Sequence, residues 1–227
     1  MSGYAYHLVD VFTDRPFSGN QLAVFPEATG LSDRQMQAIA HELNLSETTF
    51  VFPPDDPSCQ FKVRIFTPTR ELPMAGHPTL GTAFVLRHLG LLKPDTSSTF
   101  QEGVGPIPVE VTSGGTVWMM QPPPQFGRTY ANASGIAHLL GVATTDIVPN
   151  MPCQVVSTGV PFLLVPLLNL AAVQRSWVNA GQWEGQVGDE AVGVYVFTGE
   201  VSGNKATLHA RMFGPAVGIP EDPATGA

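Results

Sequence analysis

Three residues of the sequence have types and settings suited to proton transfer, and Glu47 is the first. It stands in the segment NLSETTFVF, between a helical pattern and an apolar strand. A carboxylate among apolar neighbours is costly to bury, so desolvation is expected to raise its pKa toward the range useful for general acid–base catalysis. The alternative is a carboxylate at a strand end that points to solvent or caps a turn.

His77 and Asp222 are the other two, and each precedes a proline. His77 lies in GHPTLGT at the start of a helical pattern, where free N–H groups attract anions and the helix dipole favours a neutral imidazole. Such a histidine could bind substrate or shuttle a proton, and Gly76 would allow close backbone approach. Asp222 lies in EDPATGA. The plainer alternative for both is that they only cap a helix.

The elements that must position these residues are mostly short strands. The chain carries 23 Gly and 21 Pro, which punctuate short apolar runs and predict largely antiparallel sheet. Residues 32–43 have helical spacing with Ser32 and Gln35 as a capping box, and residues 134–140 predict a short helix. Residues 79–86 are small or apolar on every side, which predicts a helix buried all round by the strands.

A proline-rich segment and an internal repeat divide the chain. QPPPQ predicts a boundary near Gln125, giving lobes of residues 1–125 and 126–227. Three pairs of segments match in the same order: GNQLAVFP with GVPFLLVP, RIFTP with RMFGP, and HPTLG with DPATG. The repeat makes His77 and Asp222 equivalent. It also predicts that the second lobe's buried helix follows Gly226, so that this lobe is truncated before its central helix.

Composition excludes several classes of function. The net charge of −8, with only 11 scattered basic residues, argues against nucleic-acid binding. Cys59 and Cys153 lie far apart without metal-binding spacing, so neither a disulfide framework nor a metal site is expected. The sequence has no run of membrane-spanning length and no signal-peptide pattern at its start, which predicts a soluble, cytoplasmic protein. The signatures of serine hydrolases, dinucleotide enzymes and NTPases are also missing from the sequence.

Four segments together resemble the phenazine-biosynthesis PhzF-like family, within the diaminopimelate epimerase-like fold. They are VDVFTDRPFSGNQLAVF, MQAIAHELNLSETTFVF, RIFTPTRELPMAGHPTLGTA and RMFGPAVGIPEDPATGA. The resemblance implies an α+β fold of two pseudo-symmetric lobes, each a curled antiparallel sheet around a central buried helix. It also implies an active site between the lobes.

The same resemblance implies isomerase chemistry without metal or organic cofactor. Glu47 matches the family's proton-carrying glutamate, and His77 and Asp222 match residues that assist it. Residues that would bind a carboxylate-bearing substrate are Ser46, Gly76, Gly226 and Ala227. Position 227 is Ala where the family commonly has Ser, which removes a hydroxyl donor. The two-cysteine racemisation of diaminopimelate epimerase is disfavoured, because neither cysteine falls in a matching motif.

The expected partners are a small-molecule substrate and, as the family often shows, a second copy of the chain in a homodimer. The rest of the second lobe would come from residues absent from this sequence or from another polypeptide. The alternative function, from another class, is a non-catalytic small-molecule-binding protein or an inactive remnant on the same scaffold.

Overall fold

The computed structural model describes residues 3–203 and 206–226, which form two compact units. The first unit comprises residues 3–123 together with Thr225 and Gly226, and the second comprises residues 124–224. Among the described residues, no helix is both long enough and apolar enough to cross a membrane. Cys59 and Cys153 are buried free thiols.

The first unit is an eight-stranded curled sheet with two helices. Its strands are β1 (His7–Val11), β2 (Asn20–Phe25), β3 (Glu47–Phe52), β4 (Phe61–Phe66), β5 (Glu71–Leu72), β6 (Ser97–Glu102), β7 (Gly105–Val111) and β8 (Val117–Met119). The order is β1-β2-β3-β4-β6-β7-β8, with β5 pairing at β4. Helix α1 (Asp33–Leu43) connects β2 to β3, and helix α2 (Gly76–His88) connects β5 to β6.

The second unit is a six-stranded sheet with three short helices. Its strands are β9 (Gln125–Tyr130), β10 (Cys153–Ser157), β11 (Pro161–Pro166), β12 (Gly193–Thr198), β13 (His209–Gly214) and β14 (Ile219–Asp222). They lie in the order β14-β13-β12-β11-β10-β9. The helices are α3 (Ala133–Leu139), α4 (Leu170–Arg175) and α5 (Ala180–Gln186). The structure contains no counterpart of α2 among the described residues of this unit.

The sheets are largely antiparallel, as predicted, and three pairings depart from that arrangement. Strands β2 and β3, β4 and β6, and β11 and β12 pair in parallel. In each case the chain between the two strands includes a helix, which returns it to the starting edge so that the next strand runs in the same direction. Both sheets are therefore mixed, and the remaining pairs are antiparallel.

Helix α1 begins as the sequence predicts. Ser32 and Gln35 form the reciprocal capping box. The helix buries Met36 and Ala40 in a cluster that includes Phe50 on β3. Its capping and its apolar stripe are both local features, which explains why the sequence located it correctly.

Helix α3 begins one residue earlier than predicted, because Asn132 accepts a hydrogen bond from the N–H of Gly135 and so caps it. Helices α4 and α5 were not predicted.

Helix α2 packs against the concave side of the first sheet, but it is not buried all round. Gly81 lies so close to the sheet that an added Cβ would be 2.6 Å from Leu22 Cδ2 and 2.8 Å from Val11 Cγ2. On another side of the helix, Phe84 is 46% exposed. The prediction of complete burial is thus corrected, because the sheet leaves one stripe of the helix uncovered and apolar composition alone cannot reveal which stripe that is.

The internal repeat is visible in the topology of the two units. Strands β1 to β5 and strands β10 to β14 have the same sequence of pairings: antiparallel, parallel, antiparallel, antiparallel. Arg64 on β4 binds both carboxylate oxygens of Glu71 and lies over the ring of Phe66. On β13, Arg211 makes the same two kinds of contact with Glu221 and Phe213.

Candidate active site

Glu47 is the first residue of β3, and its side chain is buried. It pairs in register with Leu22 of β2 and is only 6% exposed. The alternative of a solvent-facing carboxylate is therefore wrong. Burying a carboxyl group costs free energy unless polar groups contact it. The buried position of Glu47 at the start of a central strand therefore indicates polar neighbours around its side chain.

His77 supplies that environment. It is the second residue of α2, whose N-cap is Ala75, and its side chain does not cap the helix. Instead Nε2 of His77 lies 3.5 Å from Oε2 of Glu47. On the other side of the ring, Nδ1 lies 3.3 Å from the side-chain nitrogen of Asn20, the first residue of β2. The imidazole is thus held between two strands and faces the Glu47 carboxyl group directly.

Burial controls the charge of this histidine. The pKa of His77 is lowered from 6.5 to about 3, because the protein interior disfavours the charged imidazolium more than a hydrogen bond with the main chain of Gln21 favours it. At neutral pH the ring is therefore neutral, with one nitrogen protonated and the other able to accept. The neutral ring therefore lies beside the Glu47 carboxyl group without adding a positive charge to its surroundings.

Two buried threonines tie the strand of Glu47 to the helix of His77. Thr49 on β3 and Thr82 on α2 are both fully buried, and their hydroxyl oxygens lie 2.9 Å apart. Neither these residues nor Asn20 was identified from the sequence. Asn20 had one available signal, since it is a polar residue at the start of an apolar strand, as Glu47 is. The threonines had none, because nothing in their sequence setting distinguishes them from threonines without such a contact.

Glu102 is a further buried carboxyl group that the sequence did not single out. It is the last residue of β6, and Oε1 lies 2.6 Å from Oγ1 of Thr79 on α2. Burial raises the pKa of Glu102 from 4.5 to about 8. The group is therefore neutral at pH 7.

The remaining predicted residues are distributed as follows. Ser46 is half-buried immediately before Glu47, and Gly76 is the buried first residue of α2. Gly226, in the first unit, is exposed; its carbonyl accepts from Gln121, and an added Cβ would be 2.6 Å from the ring of Phe12. Ala227 lies outside the described residues.

Asp222 belongs to the second unit, where it is the buried last residue of β14 and pairs with Met212. The helix-cap alternative is not realised among the described residues, since residues 223–226 do not form a helix there. The candidate site built from contacts within one unit therefore consists of Glu47, His77 and Asn20.

Comparison with known proteins defines the class. An isomerase of uncharacterized role from Mesorhizobium japonicum is 35% identical over 98% of this chain and 76% of its own length. The trans-2,3-dihydro-3-hydroxyanthranilate isomerase of Pseudomonas aeruginosa is 33% identical over 99% of this chain and 76% of its own. Both relatives are named isomerases, which supports an isomerase activity for this chain.

The fold agrees with that class. A PhzF-family phenazine biosynthesis protein from Bacillus anthracis superimposes with a TM-score of 0.87 at 31% identity, covering 100% of this chain and 77% of the other. The family model described as phenazine biosynthesis-like protein, PhzC-PhzF, matches residues 9–227. The chain belongs to this family.

Proposed function

We propose that the protein is a PhzF-like isomerase that moves a proton on a small carboxylate-bearing substrate by cofactor-independent general acid–base catalysis. The observation that carries this proposal is the buried contact between Glu47 and His77. A carboxylate held out of water beside a neutral imidazole is suited to taking a proton from carbon and returning it.

In the proposed reaction, the Glu47 carboxylate removes a proton from a substrate carbon. The electron pair of the broken C–H bond moves into the adjoining conjugated system, and the proton is returned to another carbon of that system. Glu47 ends the cycle as a carboxylate, so atoms and charge balance without an external reagent. Neutral His77, with Nε2 next to Oε2 of Glu47, is proposed to orient the Glu47 carboxyl group between the two steps.

The substrate carboxylate is proposed to bind at Ser46 and Gly76 together with Gly226 and Ala227. Free N–H groups in the first turn of α2 attract an anion, because they lack intrahelical acceptors and lie at the positive end of the helix dipole. Asp222 is proposed as a third catalytic residue on the strength of its motif and its equivalence to His77 in the repeat. The homodimer expected for the family is likewise a proposal.

Deuterium exchange tests the proposal. The protein is incubated in deuterium oxide with a panel of small unsaturated carboxylic acids, beginning with trans-2,3-dihydro-3-hydroxyanthranilate, the compound in the name of the Pseudomonas aeruginosa relative. Proton NMR then follows loss of a carbon-bound proton. Glu47→Gln is expected to reduce the rate of exchange by about 10²- to 10⁴-fold, the usual contribution of a general acid or base.

Glu110→Gln is the matched control, since Glu110 is exposed on β7 and the chemical change is the same. It should leave the rate unchanged. Exchange that persists in Glu47→Gln would overturn the assignment of the proton carrier. If compounds of the panel bind to the wild-type protein and none of them exchanges a carbon-bound proton, the result would instead favour a non-catalytic binding protein.

A further inference from the structure

Glu102 is buried without compensation for a negative charge. Its side chain is 6% exposed, and no ion pair to it occurs among residues 3–203 and 206–226. Oε1 contacts Thr79, whereas Oε2 has no hydrogen-bond partner in the same part of the chain. An ionised carboxylate would leave a charged oxygen in the interior with no donor, which is far more costly than leaving the carbonyl oxygen of a neutral acid there.

The hydrogens available to Thr79 lead to the same conclusion. Its Oγ1 lies 2.6 Å from Oε1 of Glu102 and 2.7 Å from the carbonyl oxygen of Ala75. A threonine hydroxyl has one hydrogen, and a carbonyl can only accept. The contact with Ala75 therefore needs the hydroxyl hydrogen of Thr79. The contact with Glu102 then needs a hydrogen from Glu102, which can donate it to Thr79 only in its protonated form. Geometry therefore assigns the proton to Glu102.

The contact to Ala75 matters because it closes the first turn of α2. Ala75 is the N-cap, and its side chain makes no capping hydrogen bond. The main-chain N–H of Thr79 lies 3.4 Å from the carbonyl oxygen of Ala75, which is long for a hydrogen bond. The hydroxyl of Thr79 makes the shorter contact to the same carbonyl. Gly76 and His77 lie within this turn, so a change at Thr79 or Glu102 is transmitted to the imidazole that faces Glu47.

We infer that Glu102 is a positioning residue: its protonated side chain holds Thr79, Thr79 holds the first turn of α2, and this turn places His77 opposite Glu47. Deprotonation of Glu102 would remove the hydrogen from one of the two contacts and loosen the turn. Only the consequence for catalysis rests on the proposed function, because the hydrogen-bond chain itself involves no substrate.

The groups around Glu102 do not supply a competing charge. The inward-facing residues of β6 and β7 are Ser98, Phe100, Ile107, Val109 and Val111, none of which titrates. The titratable groups that face the same interior are His77 on α2, Glu47 on β3 and His7 on β1. His7 shares the face of Val9 and Val11, but it lies at the opposite end of β1 from the pairing with Asn20. The charged residues of β1, β4, β5 and β7 alternate with buried neighbours and so point outward; they are Asp10, Lys62, Arg64, Glu71 and Glu110. Arg87 and His88 lie at the far end of α2.

Infrared difference spectroscopy of the full chain tests the protonation state directly. The wild-type spectrum minus that of Glu102→Gln should contain the carbonyl stretch of a protonated carboxylic acid at pH 7, and this band should disappear as the pH passes about 8. Glu110→Gln should leave the band in place. A carboxylate signal at pH 7 in place of the protonated band would overturn the inference.

Stability against pH gives an independent test. The unfolded chain loses the Glu102 proton near pH 4.5 and the folded chain near pH 8, so the folded state holds the extra proton between these values. The contribution of Glu102 to stability should therefore fall as pH rises through this window, so that the unfolding constant of the wild-type protein increases about tenfold per pH unit relative to that of Glu102→Gln. Parallel curves for the two proteins would contradict the inference.

The positioning role has its own readout in the NMR resonances of the His77 ring, observed without substrate. Thr79→Ser keeps the hydroxyl and should keep these resonances, whereas Thr79→Val removes it and should shift them. Should Thr79→Val fail to fold, the wild-type resonances are compared below and above pH 8, with Glu102→Gln as the control that has no proton to lose at this position. Unshifted resonances in wild-type protein across that pH range would exclude the positioning role, whatever the result of the deuterium exchange.

Discussion

Nε2 of His77 lies 3.5 Å from Oε2 of Glu47, and the two side chains are 4% and 7% exposed. One residue opens a strand and the other lies in the first turn of a helix, so their approach depends on how α2 packs in the first sheet. Further polar contacts connect α2 to buried residues of β2, β3 and β6: Asn20, Thr49 and Glu102. These contacts fix the rotation of the helix and hence the direction of the imidazole.

Asn20 should be needed to orient His77. Asn20→Leu removes the polar group next to Nδ1 while keeping the side chain's approximate size, and a lost hydrogen bond to a buried group is worth about 1–3 kcal/mol. We expect kcat for proton exchange to fall about tenfold to a hundredfold, with a smaller change in KM. Gln21→Ala, at the next and exposed position, serves as the control. Equal kcat values in the two variants would contradict the orienting role.

His77 should make the protein acid-sensitive. Its pKa is about 3 in the folded protein and near 6.5 when unfolded, so the unfolded state binds the additional proton between these values. Stability should therefore be lost as pH falls below 6.5, by about 1.4 kcal/mol per pH unit from this residue alone. Urea unfolding of wild-type and His77→Gln proteins between pH 7 and pH 4 isolates the contribution. A curve for His77→Gln that runs parallel to the wild-type curve would refute it.

The Thr49–Thr82 pair should behave as a coupled unit. Thr49→Val or Thr82→Val leaves a buried hydroxyl without its partner, and each is expected to lower the free energy of unfolding by about 1–3 kcal/mol. The double variant replaces both hydroxyls by methyl groups and should be less destabilised than the sum of the two single variants. Chemical unfolding of the four proteins gives the coupling energy, and strict additivity would show that the contact contributes nothing.

Gly81 should tolerate no larger residue. A methyl group there would meet Leu22 and Val11 at 2.6 and 2.8 Å, so Gly81→Ala is expected to cost about 1–3 kcal/mol and to displace α2 from the sheet. Gly185 in α5 is the matched control, because nothing lies within 4 Å of an added Cβ there. Gly185→Ala should be neutral or stabilise by up to about 1 kcal/mol. Thermal unfolding compares them, and similar melting temperatures for the two variants would disprove the close approach at Gly81.

The sequence was informative wherever the determining interaction is local. The capping box of Ser32 and Gln35 located α1, and the repeated segments around Arg64 and Arg211 anticipated the common topology of the two units. The setting of Glu47 at the junction of a helix and an apolar strand marked it as unusual. Caps, periodicities and repeats are visible in sequence because the residues involved are close together along the chain or match one another.

Only the tertiary structure decided which residues accompany Glu47 and how its environment is charged. Parallel pairing of β2 with β3 places Leu22 beside Glu47, and the packing of α2 brings His77 to Asn20 and buries Glu102 against Thr79. The pKa values of His77 and Glu102 follow from this burial, in opposite directions. Desolvation depends on neighbours contributed by distant parts of the chain. The sequence by itself therefore determined most strands, the helices α1, α2 and α3 and the carboxyl group at Glu47, whereas the fold selected the partners of Glu47 and their protonation states.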